Sequence, residues 1–352
     1  MMKIDIYPYT LHFKQPAGTS RGVYTEHKVW FLRLTDSRFP DRCGWGEVAP
    51  LPQLSCDDVP DFESILTDTC HRFQSEIDYE KLRNYPSILF GLECALDDLR
   101  ADKRPLYDTP FCKGEESITI NGLIWMGSYE EMRLRIKEKL AAGFHCIKVK
   151  IGAIDFEKEY ALLQQIRQEF SPNEITLRVD ANGGFTPQEA MTKLERLAKL
   201  HIHSIEQPIK AGQIDEMAKL CQETPLPIAL DEELIGVNDP MKKAEMLDRI
   251  HPQYIIIKPS LHGGKMGGEE WIHLAQERKM GYWITSALES NIGLMHIAQW
   301  ASTFSISIPQ GLGTGGLYTN NIETPLELVG EKLWYRPDND FTRFPQELEK
   351  RF

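Results

Sequence analysis

Five charged residues stand at the ends of short apolar segments that follow one another along the chain. The steps between them are roughly 25 to 30 residues, the length of one β-strand, one helix and the turns that join them. Near-continuous apolar, β-branched runs are typical of buried parallel strands, so each segment is predicted to be such a strand. In chain order the five residues are Lys150, Asp180, Glu206, Asp231 and Lys258.

The three acids have the chemistry of a binding site for a hard cation. Carboxylate oxygens with no Cys or His beside them suit Mg²⁺ or Mn²⁺ rather than zinc. Asp180, Glu206 and Asp231 are therefore predicted to bind Mg²⁺, with Mn²⁺ as the alternative. A plainer interpretation makes each acid a solvated residue or a helix N-cap, and it fits one acid better than three at matched positions.

The lysines point to proton transfer. Lys148 and Lys150 are two residues apart and so face the same side of their strand. Two ammonium groups in a confined site repel each other, which favours a neutral lysine that can act as a base. Lys258 lies across the predicted barrel, and lysines on both sides of a metal-bound carboxylate suit removal of the proton α to it. Lys150 and Lys258 are the predicted catalytic residues.

The order of the elements predicts an α/β barrel that follows an α+β domain. From residue 117 strands and helices alternate, and in a barrel the C-terminal ends of the strands meet at one mouth. An eighth strand is expected at 305–308. Residues 1–112 begin with alternating, half-buried strand patterns followed by helical ones, as in an α+β domain. The predicted divisions are 1–112, the barrel at 113–320, and a tail at 321–352 that packs on the first domain.

Composition narrows the class of partner. The 352 residues carry a net charge of −12, which argues against nucleic acid and anionic membranes as partners. The seven cysteines show no CxxC spacing, as expected of reduced thiols in a cytoplasmic protein. A small-molecule carboxylate is the expected ligand, and a homo-oligomer is left open.

Several motifs together resemble those of the enolase superfamily, and more narrowly its muconate-lactonising-enzyme subgroup. They are Lys148-Val-Lys, Val179-Asp-Ala-Asn, Ile205-Glu-Gln-Pro, Leu230-Asp-Glu-Glu and Ile257-Lys-Pro. Asp231-Glu-Glu departs from the commoner Asp-Glu-Ser. Two later segments, Ser286-Ala-Leu-Glu-Ser and Gly311-Leu-Gly-Thr-Gly-Gly, are similar to the o-succinylbenzoate synthase family of menaquinone biosynthesis. The resemblance implies a modified (β/α)7β TIM-type barrel with an N-terminal capping domain that the C-terminal tail completes.

The same resemblance implies a metal-dependent dehydratase, a hydro-lyase. Its substrate would be 2-succinyl-6-hydroxy-2,4-cyclohexadiene-1-carboxylate. Lys150 would take the α-proton and then protonate the departing hydroxyl on the same face, through a Mg-stabilised enediolate, while Lys258 would stabilise the anion. The alternative on this scaffold is an N-acylamino acid racemase or a dipeptide epimerase. Dipeptide epimerases usually carry Asp-x-Asp after the last strand, where this chain has no acid at 311–317.

Further residues are assigned to substrate contact or to support of the acids. Glu232, next to Asp231, should point away from the site because successive strand residues face opposite sides. Glu233 is expected to point inward, and Arg178 to brace the carboxylates from one layer deeper. The residues predicted to contact substrate are Lys148, Asn182, Ser286 and, in a loop over the barrel mouth, Arg21.

Overall fold

The computed structural model describes residues 1–19, 22–102, 105–125, 128–152 and 155–337. The predicted substrate contact Arg21 and the tail from 338 to 352 lie outside the described residues. Within them no helix is both long and apolar enough to cross a membrane.

An antiparallel sheet and a helical layer form the first part of the chain. The strands are β1 (Met2–Thr19), β2 (Gly22–Asp36) and β3 (Phe39–Val48), and the helices are α1 (Phe62–Arg72), α2 (Tyr79–Leu82) and α3 (Pro86–Ala101). Glycines let α3 lie directly on β3. A Cβ at Gly46 would be 2.0 Å from the carbonyl oxygen of Gly91, so only glycine permits this close packing. On its other side α3 contacts a helix of the barrel, which explains why nearly all of it is buried.

Seven parallel strands follow, and they are hydrogen-bonded in chain order. They are β5 (Gly122–Ile124), β6 (Cys146–Lys150), β7 (Thr176–Asp180), β8 (Ser204–Glu206), β9 (Ile228–Leu230), β10 (Tyr254–Ile257) and β11 (Gly281–Ile284). The helices that join them are α4 (Tyr129–Ala141), α5 (Phe156–Glu169), α6 (Pro187–Ala198), α7 (Ile214–Glu223), α8 (Pro240–Ile250) and α9 (Gly264–Glu277), and α10 (Asn291–Ala301) follows β11.

The barrel closes two residues beyond the predicted eighth strand. Residues 305–308 form no strand, and the closing bridges are Gln310 with Ile120 and Gly311 with Thr285. The side chain of Gln310 adds a further hydrogen bond across this closure, because its Oε1 accepts from the backbone of Ile284 at 2.7 Å. The prediction at 305–308 was therefore wrong. An alternating Ser-Ile pattern does not reveal that the closing main-chain hydrogen bonds are made instead by the backbones of Gln310 and Gly311.

The start and end of the barrel region share a small sheet. The segment 118–124 does not form one continuous strand. β4 (Ile118–Thr119) separates from β5 and pairs with β13 (Lys332–Tyr335), which forms a hairpin with β12 (Leu326–Val329). The described part of the predicted tail thus extends β4. Contact with the first domain comes largely from the segment just before it, where the backbone of Lys14 donates to Leu317 and that of Thr319 donates to His12.

Candidate active site

The strand ends bring the predicted acids and lysines into one pocket. In the sheet register Lys150 is paired with Asp180, and Asp180 with Glu206. Asp231 directly follows β9, and Lys258 directly follows β10. All five line a pocket together with Lys148, and the first domain closes one side of it with Tyr24, Leu51 and Leu54. The parallel register therefore assembles these groups, although their spacing in the sequence is large.

Each lysine is bound to the acid cluster. The Nζ of Lys148 lies 3.1 Å from Asp180 Oδ2 and 3.0 Å from Glu206 Oε2. Lys150 Nζ also reaches Asp180 Oδ2, at 3.0 Å. Lys258 Nζ lies 2.5 Å from Asp231 Oδ2, at the other end of the cluster. The two predicted catalytic lysines thus contact different acids, and their own strands, β6 and β10, are four positions apart in the sheet order.

Burial and charge act against each other in this cluster. Burial alone would lower the pKa of Lys148, but the charges of Asp180 and Glu206 raise it above its usual range. Burial opposes ionisation of Asp180 as well, and Lys148 and Lys150 nevertheless lower its pKa. Burial, and then the charge of Asp180, raise the pKa of Glu206 well above its ordinary value. Three lysines thus face three acids, and burial is the main reason that Glu206 resists ionisation.

The carboxylates fit a divalent cation by their donor atoms. Asp231 Oδ1 is buried and has no hydrogen-bond partner, and such an oxygen is stable only when a cation or donor approaches it. The oxygens otherwise face lysine ammonium groups, and among the described residues no three His, Cys, Asp or Glu side chains converge on one point as metal ligands do. The hard oxygen donors and the orphaned oxygen of Asp231 are the features that fit a divalent cation.

Asn182 links Lys150 to the carboxyl group of Glu232, which was predicted to point away from the site. Its Oδ1 accepts from Lys150 Nζ at 2.6 Å, and its Nδ2 donates to Glu232 Oε1 at 3.0 Å. Glu232 lines the pocket, so the prediction that it points away was wrong. Strand alternation ends at Leu230, because Asp231 leaves the extended conformation and residues 232–234 form a 3-10 turn.

Glu233 and Arg178 support the site at greater distance. Glu233 accepts from Gln207 Nε2 at 3.1 Å, and Gln207 Oε1 accepts in turn from the backbone of Asp231 at 3.1 Å. Gln207 therefore connects the ends of β8 and β9. Its position in the motif Glu206-Gln-Pro did not predict this role. Arg178 donates to the carbonyl of Pro309 at 3.0 Å and stacks on Trp283 at 4.3 Å. Its described contacts join it to the closing segment of the barrel, not to a carboxylate.

Ser286 lines the pocket but its hydroxyl already has partners. It donates to Glu289 Oε2 at 2.5 Å and accepts from Thr314 at 2.8 Å. Glu289 is fully buried and also accepts from Ser260, two residues after Lys258. To donate to a substrate, Ser286 would have to release Glu289. Glu289 thereby joins the loops after β10 and β11, and its local sequence pattern gave no indication of this role.

Two family models match the chain, one to each part of the fold. Residues 131–329 match the model described as Enolase C-terminal domain-like, and residues 1–99 match the MenC N-terminal domain. The o-succinylbenzoate synthase of Desulfotalea psychrophila is 46% identical over 94% of this chain and 98% of that protein. The chain belongs to the o-succinylbenzoate synthase family. This confirms the predicted superfamily and the predicted family within it.

Two further comparisons concern the fold and the alternative activity, epimerisation. The crystal structure of MenC from the same organism matches with a TM-score of 0.84 and 41% identity, over 95% of this chain and 99% of that one. The L-Ala-D/L-Glu epimerase of Bacillus subtilis is 27% identical, over 86% of this chain and 85% of that protein. The prediction of a capped α/β barrel is confirmed, and so is that of a hydro-lyase that acts on a small molecule. Enzymes of this family are metal-dependent, as predicted for this chain.

Proposed function

We propose that the chain converts 2-succinyl-6-hydroxy-2,4-cyclohexadiene-1-carboxylate to o-succinylbenzoate by syn elimination of water, in menaquinone biosynthesis. The relative that is 46% identical carries the name of this activity. The observation that carries the proposal is the position of the two lysines, Lys150 and Lys258, at opposite ends of one row of strand-end carboxylates. A carboxylate substrate held between them would present one face of its ring to each lysine.

Asp180, Glu206 and Asp231 are the proposed ligands of a Mg²⁺ ion, with Mn²⁺ as a substitute. The ion would stabilise negative charge on the substrate carboxylate as the α-proton leaves. In a solved relative, the dipeptide epimerase of Enterococcus faecalis, Mg and a dipeptide are bound. That chain is 19% identical, so the choice of Mg²⁺ rests on the hard oxygen donors found in this structure.

Lys150 is the proposed base and the later acid. Its side chain is only 14% exposed, so bulk water has limited access to its nitrogen. In a syn elimination the α-proton and the hydroxyl leave from the same face. One group on that face can therefore remove the proton and then protonate the departing hydroxyl. Lys258, held by Asp231, would stay protonated, since the charges of Asp231 and the neighbouring acids together outweigh burial and raise its pKa. A fixed ammonium on the opposite face stabilises the developing anion.

Apolar walls from both domains suit the ring of this substrate. Leu51 and Leu54 of the first domain line the pocket together with Leu288 and Leu317, and the ring of Trp125 lies 5.5 Å from Lys150 Nζ. Such a site excludes water from the anion and strengthens each charge within it. We further propose that the protein works in the cytoplasm without nucleic acid or membrane partners, since all seven cysteines are free and the net charge is −12.

The direct test is to incubate the protein with Mg²⁺ and the cyclohexadiene carboxylate and to follow the rise of aromatic absorbance. We expect turnover with the wild-type chain and none with Lys150→Ala, which serves as the matched control for uncatalysed dehydration. An equal rate with the two proteins would contradict the proposal.

The alternative activity, isomerisation, can be separated by isotope. An epimerase or racemase that uses both lysines would introduce deuterium from D₂O at the α-carbon of an N-acylamino acid or dipeptide. The loop at 311–317 offers no acid to hold a substrate ammonium, so we expect this exchange to be slower than dehydration. Exchange that outpaces dehydration at equal enzyme concentration would assign the chain to isomerisation.

A further inference from the structure

We propose that Glu232 is a positioning residue that sets the orientation of the Asn182 amide and, through it, the position of the Lys150 ammonium. The contacts form a relay: Lys150 Nζ donates to Asn182 Oδ1 at 2.6 Å, and Asn182 Nδ2 donates to Glu232 Oε1 at 3.0 Å. The inference rests on the proposed function insofar as Lys150 is the base. The relay itself can be tested without substrate.

A carboxylate is the group that can fix this amide. The two ends of an asparagine side chain are nearly the same shape, and one end accepts whereas the other donates. A lysine ammonium only donates, so it requires the oxygen end of Asn182. The carboxylate of Glu232 accepts at the other end and therefore holds the amide with its oxygen towards Lys150. Without Glu232, water could hydrogen-bond to either orientation and the preference would weaken.

The backbone presents Asn182 and Glu232 to each other at fixed positions. Asn182 has a positive φ of 41°, a conformation that Asn tolerates better than most residues, and its backbone donates to Asp180 Oδ1 at 3.1 Å. Glu232 starts the 3-10 turn after β9 and is only 9% exposed. Its Oε1 bond to Asn182 is the sole hydrogen bond of its side chain among the described contacts, and Oε2 is buried without a partner.

The relay determines the position of the Lys150 ammonium nitrogen. Lys150 Nζ has two oxygen acceptors, Asn182 Oδ1 and Asp180 Oδ2, the latter at 3.0 Å. If the amide turned, only the Asp180 contact would remain and the ammonium would be drawn towards the carboxylate cluster. A base must lie within hydrogen-bond reach of the proton that it removes. Glu232 would thus affect turnover through geometry, while it leaves the cluster of acids in place.

The activity test is a double-mutant cycle of Glu232→Ala, Asn182→Ala and the pair together. We expect Glu232→Ala to lower kcat by on the order of 10- to 100-fold, the cost of misplacing a reacting group by up to an ångström, with KM changed far less. If Glu232 acts through Asn182, it causes no further loss in the Asn182→Ala background. Glu232→Gln should regain only part of the rate, because its amide keeps the contact but can pair with either orientation of Asn182. Glu216→Ala, an exposed acid on α7, serves as the surface control.

Losses that multiply in the double variant would overturn the relay. So would a fall in Mn²⁺ affinity that matches the fall in kcat, because Glu232 would then act on its neighbour Asp231. Mn²⁺ binding to each variant is measured by electron paramagnetic resonance, and thermal unfolding excludes loss of the fold.

A second readout needs no substrate. The side-chain amide protons of Asn182, assigned by their absence in Asn182→Ala, should exchange with water several-fold faster in Glu232→Ala than in wild type. Unchanged exchange would contradict the inference. If wild type showed this protected amide but did not dehydrate the cyclohexadiene carboxylate, the proposed function would fail and the relay would stand.

Discussion

Replacement of Lys150 by alanine should stop turnover while the site stays assembled. Removal of a general base typically lowers the rate by about 10²- to 10⁴-fold, or about 3 to 5 kcal/mol in activation free energy. Lys150 is expected to serve twice, as base and then as acid, so its loss should lie at or beyond the upper end of that range. Asp180 still keeps Lys148 at 3.1 Å, so the acid is not left buried without a cation and the fold should survive.

Lys258→Ala is the variant against which Lys150→Ala is compared. It removes the cation beside Asp231 and should also impair turnover, since one charge that stabilises the transition state is worth about 3 to 4 kcal/mol. The two variants should differ in proton exchange. With a saturated analogue that bears an α-proton but no β-hydroxyl, exchange in D₂O is expected to vanish in Lys150→Ala and to persist slowly in Lys258→Ala.

Exchange is followed by proton NMR at equal protein concentrations, with Mn²⁺ affinity and thermal unfolding recorded for both variants. If Lys150→Ala were the variant that still exchanges, the assignment of base and stabilising cation would be reversed. If both variants retained exchange, neither lysine would be the base.

Three further outcomes are expected. EDTA should abolish activity and Mg²⁺ or Mn²⁺ should restore it, and Asp231→Asn should weaken the metal affinity measured by calorimetry; full activity after exhaustive chelation would refute the metal site. Burial raises the pKa of Asp98 to about 7, so the unfolded chain loses this proton near pH 4 and the folded chain near pH 7, and stability falls as pH rises through that window. Asp98→Asn can still accept from the backbone of Trp45 but does not ionise. Its unfolding free energy relative to wild type should therefore rise by about 2 to 4 kcal/mol between pH 4 and pH 8, as measured by urea unfolding. The same difference between the two proteins at both pH values would contradict this prediction. Gly46→Ala places a Cβ 2.0 Å from a carbonyl oxygen and should cost at least about 1 to 3 kcal/mol, whereas Gly316→Ala, with nothing within 4 Å, should leave the Tm nearly unchanged.

The sequence was most informative where residues lie inside regular strands. Lys148, Lys150, Asp180 and Glu206 were placed together from apolar runs and a two-residue period, and the structure brings them within direct contact. Inside a parallel strand the backbone fixes which side a residue faces. Strand ends of successive βαβ units are also bound to meet at one edge. Local pattern and topology together therefore located the acids and lysines.

Where the chain leaves a strand, the sequence pattern no longer predicted the direction of the side chains. Glu232 was expected to face away, but the 3-10 turn after Leu230 carries it into the pocket. The eighth strand was sought at 305–308, whereas the barrel closes through Gln310, whose side chain bonds to Ile284. Neither outcome follows from periodicity, because a turn and a side-chain hydrogen bond depend on what lies beside them in space.

The sequence by itself determined the kind of chemistry, because residue types at strand ends define which protons and cations the site can hold. The order of strands and helices determined which edge of the sheet carries that site. Only the tertiary structure decided how the groups are used: which carboxylate each lysine contacts, that Ser286 is already bound to Glu289, and that Asn182 stands between Lys150 and Glu232. Those contacts join residues from different strands and loops, and distances of about 3 Å between them are set by the packing of the whole barrel.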